Sequence, residues 1–325
     1  MKPRRYQSPE AFKQALEQRL RTSSSSGVDF ARRRQLLVFD RFLARVVEVM
    51  GDSTILKGAL ALELRLDRAR TTKDVDLRLV GSPDDVLGDL QRAGRIDLGD
   101  FMTFELRPDA EHPEMHGDGM LYEGIRYRAE AKLAGKLYGQ PFGVDVAFGD
   151  PILGEPDIFV GEDVLAFAGI APPTLRLYPI ESHIAEKLHA YTMPRERENS
   201  RVKDLPDIAL LAMSREIDSD RLREALEQTF TFRDTHALPA LTPDPPASWA
   251  EVYKRMAEED DLPWETLPDL VAATRSCHRC CVAESVSAVV GFGTKRQRRL
   301  GTKHQRRFRF RCCDKKRIAT GVHVC

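Results

Sequence analysis

Residues 55–80 read ILKGALALELRLDRARTTKDVDLRLV, and the rest of the chain is organised around them. Gly58 follows Lys57 and opens a helical run from Ala59 to Leu66. A basic turn with Arg68, Arg70 and Lys73 comes next, then a short strand, Asp74 to Leu79. Side chains alternate faces along a strand. Asp74 and Asp76 therefore share one face, and Val75, Leu77 and Leu79 point the other way into a core. Two carboxylates side by side repel each other unless a cation sits between them, and hard oxygen donors suit Mg²⁺. A lone Asp-x-Asp is more often a solvated strand edge. Here the free N–H groups at the start of the helix opened by Gly58 make an anion site just upstream. Phosphate cradle and metal-holding carboxylates thus fall within one short stretch.

The remaining segments supply a sheet and its cover. Ser8 caps a helix begun by Pro9 and running to Arg21, and Ser23 to Gly27 is a flexible joint. Phe30 to Met50 has helical apolar spacing, with Arg32, Arg33 and Arg34 on a solvated face. Ser82 caps a helix from Pro83 to Ala93. Met102 to Arg107 and Ile125 to Leu133 alternate as strands, joined by a polar loop in which His112 and His116 form no metal site. Phe142 to Phe148, FGVDVAF, is another strand. Asp145 is its one charge, and its same-face neighbours Gly143 and Ala147 leave room for a ligand. A lone carboxylate there is costly unless paired or metal-bound, which makes Asp145 a candidate third metal ligand. Residues 149–179 are rich in Pro and Gly and wrap the sheet. Ile180 to Tyr191 is an amphipathic helix with Lys187 beside its apolar stripe. Asp204 caps a helix running to Met213, with Asp207 three residues on. Further helices are read at 219–230, 249–259 and 267–274, with a proline-rich linker at 239–246. The predicted fold is α/β (α+β), a mixed sheet flanked by helices and followed by a C-terminal helical bundle. The expected divisions are 1–27, 28–179, 180–274 and a tail at 275–325.

Composition places the chain and isolates its tail. The 325 residues are 42% hydrophobic and 31% charged, enough for two domains or one large one with a sizeable core. No run of eighteen apolar residues marks a membrane span, and the basic N-terminus lacks the apolar stretch of a secretory signal, so a cytoplasmic protein is expected. From Arg275 onward fourteen Lys/Arg meet two acids, whereas the preceding residues hold 36 basic and 48 acidic side chains, net −12. All six cysteines lie in that tail, so the body carries no disulfide framework. The tail admits three readings: a zinc ribbon with poor cysteine spacing, an arginine-rich RNA-binding arm, or translation in a shifted reading frame. The abrupt change of composition favours the last, and a poorly ordered segment is expected.

Three motifs in order resemble the AbiEii/AbiGii toxin family of nucleotidyltransferases, which includes the MenT toxins of mycobacteria. They are LKGALALELRL with RTTKDVDL, AEKLHAY, and RVKDLPDIALL, and the helix RRRQLLVFDRFLARV is similar to the family's leading helix. The second glycine of the family's first motif is Ala59 here, and the tail matches nothing in it. The resemblance implies a nucleotidyltransferase-type sheet and assigns roles by position. Lys57, Gly58 and Thr72 would bind the nucleotide, Asp74 and Asp76 would hold Mg²⁺, and Lys187 would grip the triphosphate. Asp204 and Asp207 would complete the catalytic set. It further implies an NTP substrate, a cognate antitoxin, and, for some members, transfer to the 3′ end of tRNA. Two other functions stay open from the residues: a non-catalytic nucleic-acid binder working through the basic tail, and a nucleotidyltransferase that modifies a protein or small molecule.

Overall fold

A computed structural model describes residues 5–66, 71–81, 85–111, 124–149, 151–196 and 198–282, with the pair 312–313. The expectations for Arg68 and Arg70, for His112 and His116, and for nearly all of the tail beyond Val282 lie outside the described residues. The chain divides into two compact units, residues 1–150 with 155–179, and residues 151–154 with 180–325.

The first unit opens with α1 (Pro9–Thr22) and α2 (Gly27–Met50). The serines between them are not a loose joint. Ser24 donates to the Leu20 carbonyl, and Ser26 accepts from the Asp29 N–H as N-cap of α2. Then come β1 (Thr54–Lys57), α3 (Gly58–Arg65), β2 (Asp74–Leu79) and α4 (Val86–Arg95). The cap of α4 is Asp85, accepting from the Gly88 N–H at 2.8 Å, rather than Ser82. Strands β3 (Met102–Pro108), β4 (Gly124–Leu133), β5 (Lys136–Leu137) and β6 (Phe142–Ala147) follow. Two more strands, β7 (Asp157–Val160) and β8 (Thr174–Leu177), lie in the stretch expected only to wrap the sheet. Among the described residues the sheet runs β3-β4-β6-β2-β1-β8-β7, with β5 beside β4. It is mixed: β2 is parallel to β6 and β1 to β8, and the other pairs are antiparallel. One face, with Val75, Leu77, Val144, Val146 and Leu177, packs in a core with Phe39, Phe42 and Leu43 of α2 and Leu90 of α4. The mixed α/β architecture expected from the sequence is the one observed.

A buried ionic knot ties α2 to the segment before β3. Arg45 and Asp100 are fully buried and share two hydrogen bonds, at 2.9 and 2.5 Å, and Arg41 reaches the same carboxylate at 2.8 Å. Asp40 lies next to this knot, with its side chain 21% exposed and 3.5 Å from Arg41. Burial pushes the Asp40 carboxyl up to about 6 against the pull of Arg41. Because the folded value lies above the unfolded one near 3.8, the folded state is favoured at low pH and loses stability as pH rises through about 6. Asp40→Asn is therefore expected to gain on the parent by about 2–3 kcal/mol between roughly pH 4 and pH 8 in urea melts. An advantage that does not change with pH would show that Asp40 ionises freely in the fold.

The second unit is helical: α5 (Ile180–Thr192), α6 (Asp204–Ser214), α7 (Ser219–Arg233), α8 (Trp249–Glu259) and α9 (Leu267–Val282). Ile184, Leu188, Leu205, Ile208, Leu211, Leu222, Leu226 and Leu270 fill its core. His189 and His236 meet over Thr235, and burial lowers both imidazoles, that of His189 to about 4. The last helix does not stop at Thr274. Arg275 pairs with Asp244 at 3.0 Å, His278 is buried against the Thr242 hydroxyl at 2.9 Å, and Cys277 is buried as well. A chain cut at Thr274 loses these contacts, because the helix that makes them continues past the first cysteine to Val282. No helix among the described residues is long and apolar enough to cross a membrane.

Candidate active site

In the first unit the strand register builds a row of charges across the sheet. Arg126 on β4 stands opposite Asp145 on β6, Asp145 beside Asp76 on β2, and Asp76 opposite Lys57 on β1. Residues paired in register share a face, so these four side chains, with Asp74 two residues from Asp76, all lie on the face away from the α2 core. The sequence predicted the common face of the aspartates. It did not predict what stands beside them.

Gly58 explains its own identity. Its φ is +68°, and a Cβ there would lie 2.0 Å from the Asp76 Oδ2 and 2.4 Å from Cγ. Only glycine lets the start of α3 press this close to the carboxylate while holding left-handed backbone. Ala59, by contrast, sits inside α3 and is buried, at a position where the backbone does not require glycine. Gly143 plays a matching part on the other side. Its N–H donates to the Asp74 Oδ1 at 3.2 Å, and a Cβ would approach that oxygen to 2.5 Å. The room expected beside Asp145 is thus filled by the Asp74 carboxylate. Gly58→Ala is expected to cost about 1–2 kcal/mol of stability and, by displacing Asp76, to slow transfer on the order of 10²-fold. Thermal melts and a transfer assay check it, and parental activity would show that this close approach has no catalytic use.

The other expected residues are placed as follows. Lys57 lies over the Tyr178 ring, 5.3 Å from its centre. Thr72 is buried, its carbonyl accepts from Arg32 at 2.9 Å, and its hydroxyl exchanges hydrogen bonds with the backbone of Asp74 at 3.3 Å. It sets the first residue of β2. Arg32, read as solvated, also grips both oxygens of Glu63 on α3, so α2 fixes the turn and helix that flank the aspartates. Asp145 receives Arg126 on both oxygens, at 2.7 and 2.6 Å. That pairing raises the Arg126 guanidinium further, through its bond to Asp145 and the charge of Asp74. No group of three or more His, Cys, Asp or Glu that could hold a metal is formed among the described residues. Asp74 and Asp76 alone still fit Mg²⁺, which commonly takes one or two carboxylates and fills its shell with water and substrate phosphate.

The second unit gathers Lys187, Asp204 and Asp207. Lys187 on α5 donates to the Asp207 Oδ2 at 2.7 Å and lies 3.5 Å from the Asp204 Oδ1. Asp207 is fully buried and the Lys187 side chain is 12% exposed. Asp204 was expected as a helix cap. It is instead the first residue of α6, and its carboxylate turns to Lys187, with Arg201 4.0 Å away. Lys187 thus stands against two carboxylates that hold its ammonium in one place.

The family described as nucleotidyl transferase AbiEii toxin, type IV TA system, matches residues 41–273. The protein is therefore a nucleotidyltransferase. The chain belongs to the AbiEii family of nucleotidyltransferase toxins. Membership implies an NTP substrate and an antitoxin partner. Two similar solved structures are the nucleotidyltransferase toxin MenT4 of Mycobacterium tuberculosis and JHP933 of Helicobacter pylori. MenT4 is 15% identical, covering 85% of this chain and 90% of its own, with a TM-score of 0.48. JHP933 is 17% identical, covering 78% and 96%, with a TM-score of 0.44. None of the curated proteins compared with the chain matches it.

Proposed function

We propose that this toxin transfers a nucleotide from an NTP to the 3′ end of tRNA in a Mg²⁺-dependent reaction, as one half of a toxin–antitoxin or phage-defence pair in the cytoplasm. The observation that carries the reading is the carboxylate pair of Asp74 and Asp76 set against Gly58 at the start of α3. Asp74 and Asp76 would hold the cation, whose chemistry is to neutralise phosphate charge and make an acceptor hydroxyl more acidic. The N–H groups at the start of α3, with Lys57 beside them, would receive the nucleotide's phosphates. Thr72 would act from behind, fixing the backbone of Asp74. Asp145 would join the metal ligands only on release from Arg126. Lys187, oriented by Asp204 and Asp207, would offset the charge that develops on the leaving pyrophosphate. The protein's work is then positioning and electrostatics, with the acceptor hydroxyl as nucleophile.

The test incubates the protein with total tRNA, each labelled NTP and Mg²⁺, with an EDTA control. Label in tRNA that EDTA abolishes is the expected result. Label in a protein or small molecule, with none in RNA, would overturn the acceptor assignment and leave the family's chemistry standing.

A further inference from the structure

One exposed arginine on the same sheet face belongs to neither the carboxylate pair nor the nucleotide side. Strand β4 presents Arg126, Arg128, Glu130 and Lys132 to this face, two residues apart, while Tyr127, Ala129, Ala131 and Leu133 are buried on the other. Most of these charges are matched. Arg126 holds Asp145, Arg107 of β3 pairs with Glu130 at 3.2 Å, and Lys132 pairs with Glu105 at 2.5 Å. Arg128 is exposed and makes no ion pair among the described residues. Directly opposite it in the register stands Arg107, 71% exposed. Like charges facing each other across two strands are unfavourable; Glu130 offsets Arg107 in part, and an anion at Arg128 would offset the charge left unmatched.

The position tells which anion. On its other side Arg128 is paired in register with Gly143, the glycine over which the Asp74 carboxylate leans. The start of α3 and Lys57 belong to β1, three strands away, about 14 Å at ordinary strand spacing. A phosphate received at Gly58 does not reach Arg128. The sheet order β3-β4-β6-β2-β1 therefore leaves two sides to the aspartates. The β1 side faces the helix start, and the β4 side faces the arginines.

We propose that Arg128, with Arg107 opposite it, binds the backbone phosphates of the nucleic-acid acceptor and brings its 3′ end to the β4 side of Asp74. This rests on the reading of RNA as acceptor, and it adds the side from which the RNA arrives. Guanidinium groups suit phosphate because their planar fork donates two parallel hydrogen bonds.

The test measures tRNA binding to the full chain by fluorescence anisotropy without NTP, over a salt series, together with the apparent KM for tRNA in transfer. Arg128→Ala is expected to weaken binding and raise that KM on the order of tenfold, and to lower the salt slope by about one. Arg128→Lys should keep part of the effect. Mg-NTP should raise the melting temperature of Arg128→Ala as much as that of the parent. Unchanged affinity, slope and KM would overturn the inference while leaving RNA transfer intact. Loss of the Mg-NTP shift instead would overturn it by moving Arg128 to the nucleotide side. Binding through Arg128 with no label transferred to RNA would uphold the surface and sink the proposed reaction. A parent that binds no RNA and labels a protein would sink both.

Discussion

Asp76→Ala is expected to reduce nucleotidyl transfer on the order of 10³-fold or more while the fold survives. The loss follows from the strand. Asp76 and Asp74 are the two carboxylates that one strand sends to one face, and Asp145 is held by Arg126. Among the described residues the third acid of this row, Asp145, is thus occupied and does not stand ready to replace the missing ligand. The tolerance of the fold follows from the register. Asp76 stands between two further acids, beside Asp145 on β6 and two residues from Asp74, with Lys57 opposite. Removing it relieves repulsion on one side and loses attraction on the other, so stability should move by no more than about 1 kcal/mol. The two claims are read separately. Urea melts report the fold, and the rise in melting temperature on adding Mg²⁺ with NTP reports the site. The parent should show that rise, and Asp76→Ala should lose most of it. Transfer near the parental rate would remove Asp76 from the metal site and with it the basis of the proposed mechanism.

Much of this was legible in the sequence because it is local. The period of two in DVDLRL puts two aspartates on one face whatever surrounds the strand, and the glycine before a helical run marks where α3 starts. What stayed hidden is set by residues distant in sequence. Arg126 reaches Asp145 because β4 pairs with β6, a register that no local pattern fixes. Lys187 was found on the right helix, but its partner Asp207 was read with Asp204 as part of a capped helix start. The pairing of α5 with α6 turns that carboxylate inward. Strands β7 and β8 were missed for a different reason. Each has four residues, too few to show alternation, and prolines and glycines surround them. The cap of α4 fell on Asp85 instead of Ser82 because either side chain can accept an N–H, and only the backbone decides which one does.

Lys187→Ala should be the most damaging single change in the helical unit, and it should fail for two separable reasons. The first is folding. Asp207 is fully buried, and the Lys187 ammonium donates to it at 2.7 Å. Removing one member of a buried pair leaves the other charge in a medium that solvates it poorly, a cost of about 3–5 kcal/mol. The second is chemistry. If Lys187 meets the triphosphate, transfer should fall by orders of magnitude even in molecules that remain folded. One substitution cannot distinguish these, so the decisive protein is the double variant Lys187→Ala/Asp207→Asn. Neutralising Asp207 removes the stranded charge, and most of the lost stability should return. Activity should not return with it, because an amide supplies no cation for the phosphates. Lys187→Arg adds a third point. It keeps the charge, but its planar fork differs in shape from an ammonium fitted between Asp204 and Asp207, so transfer should recover only in part. If the double variant regains both stability and transfer, Lys187 serves to neutralise Asp207 and the phosphates are held elsewhere. A variant that instead keeps kcat and raises only the apparent KM for tRNA would place Lys187 with the acceptor.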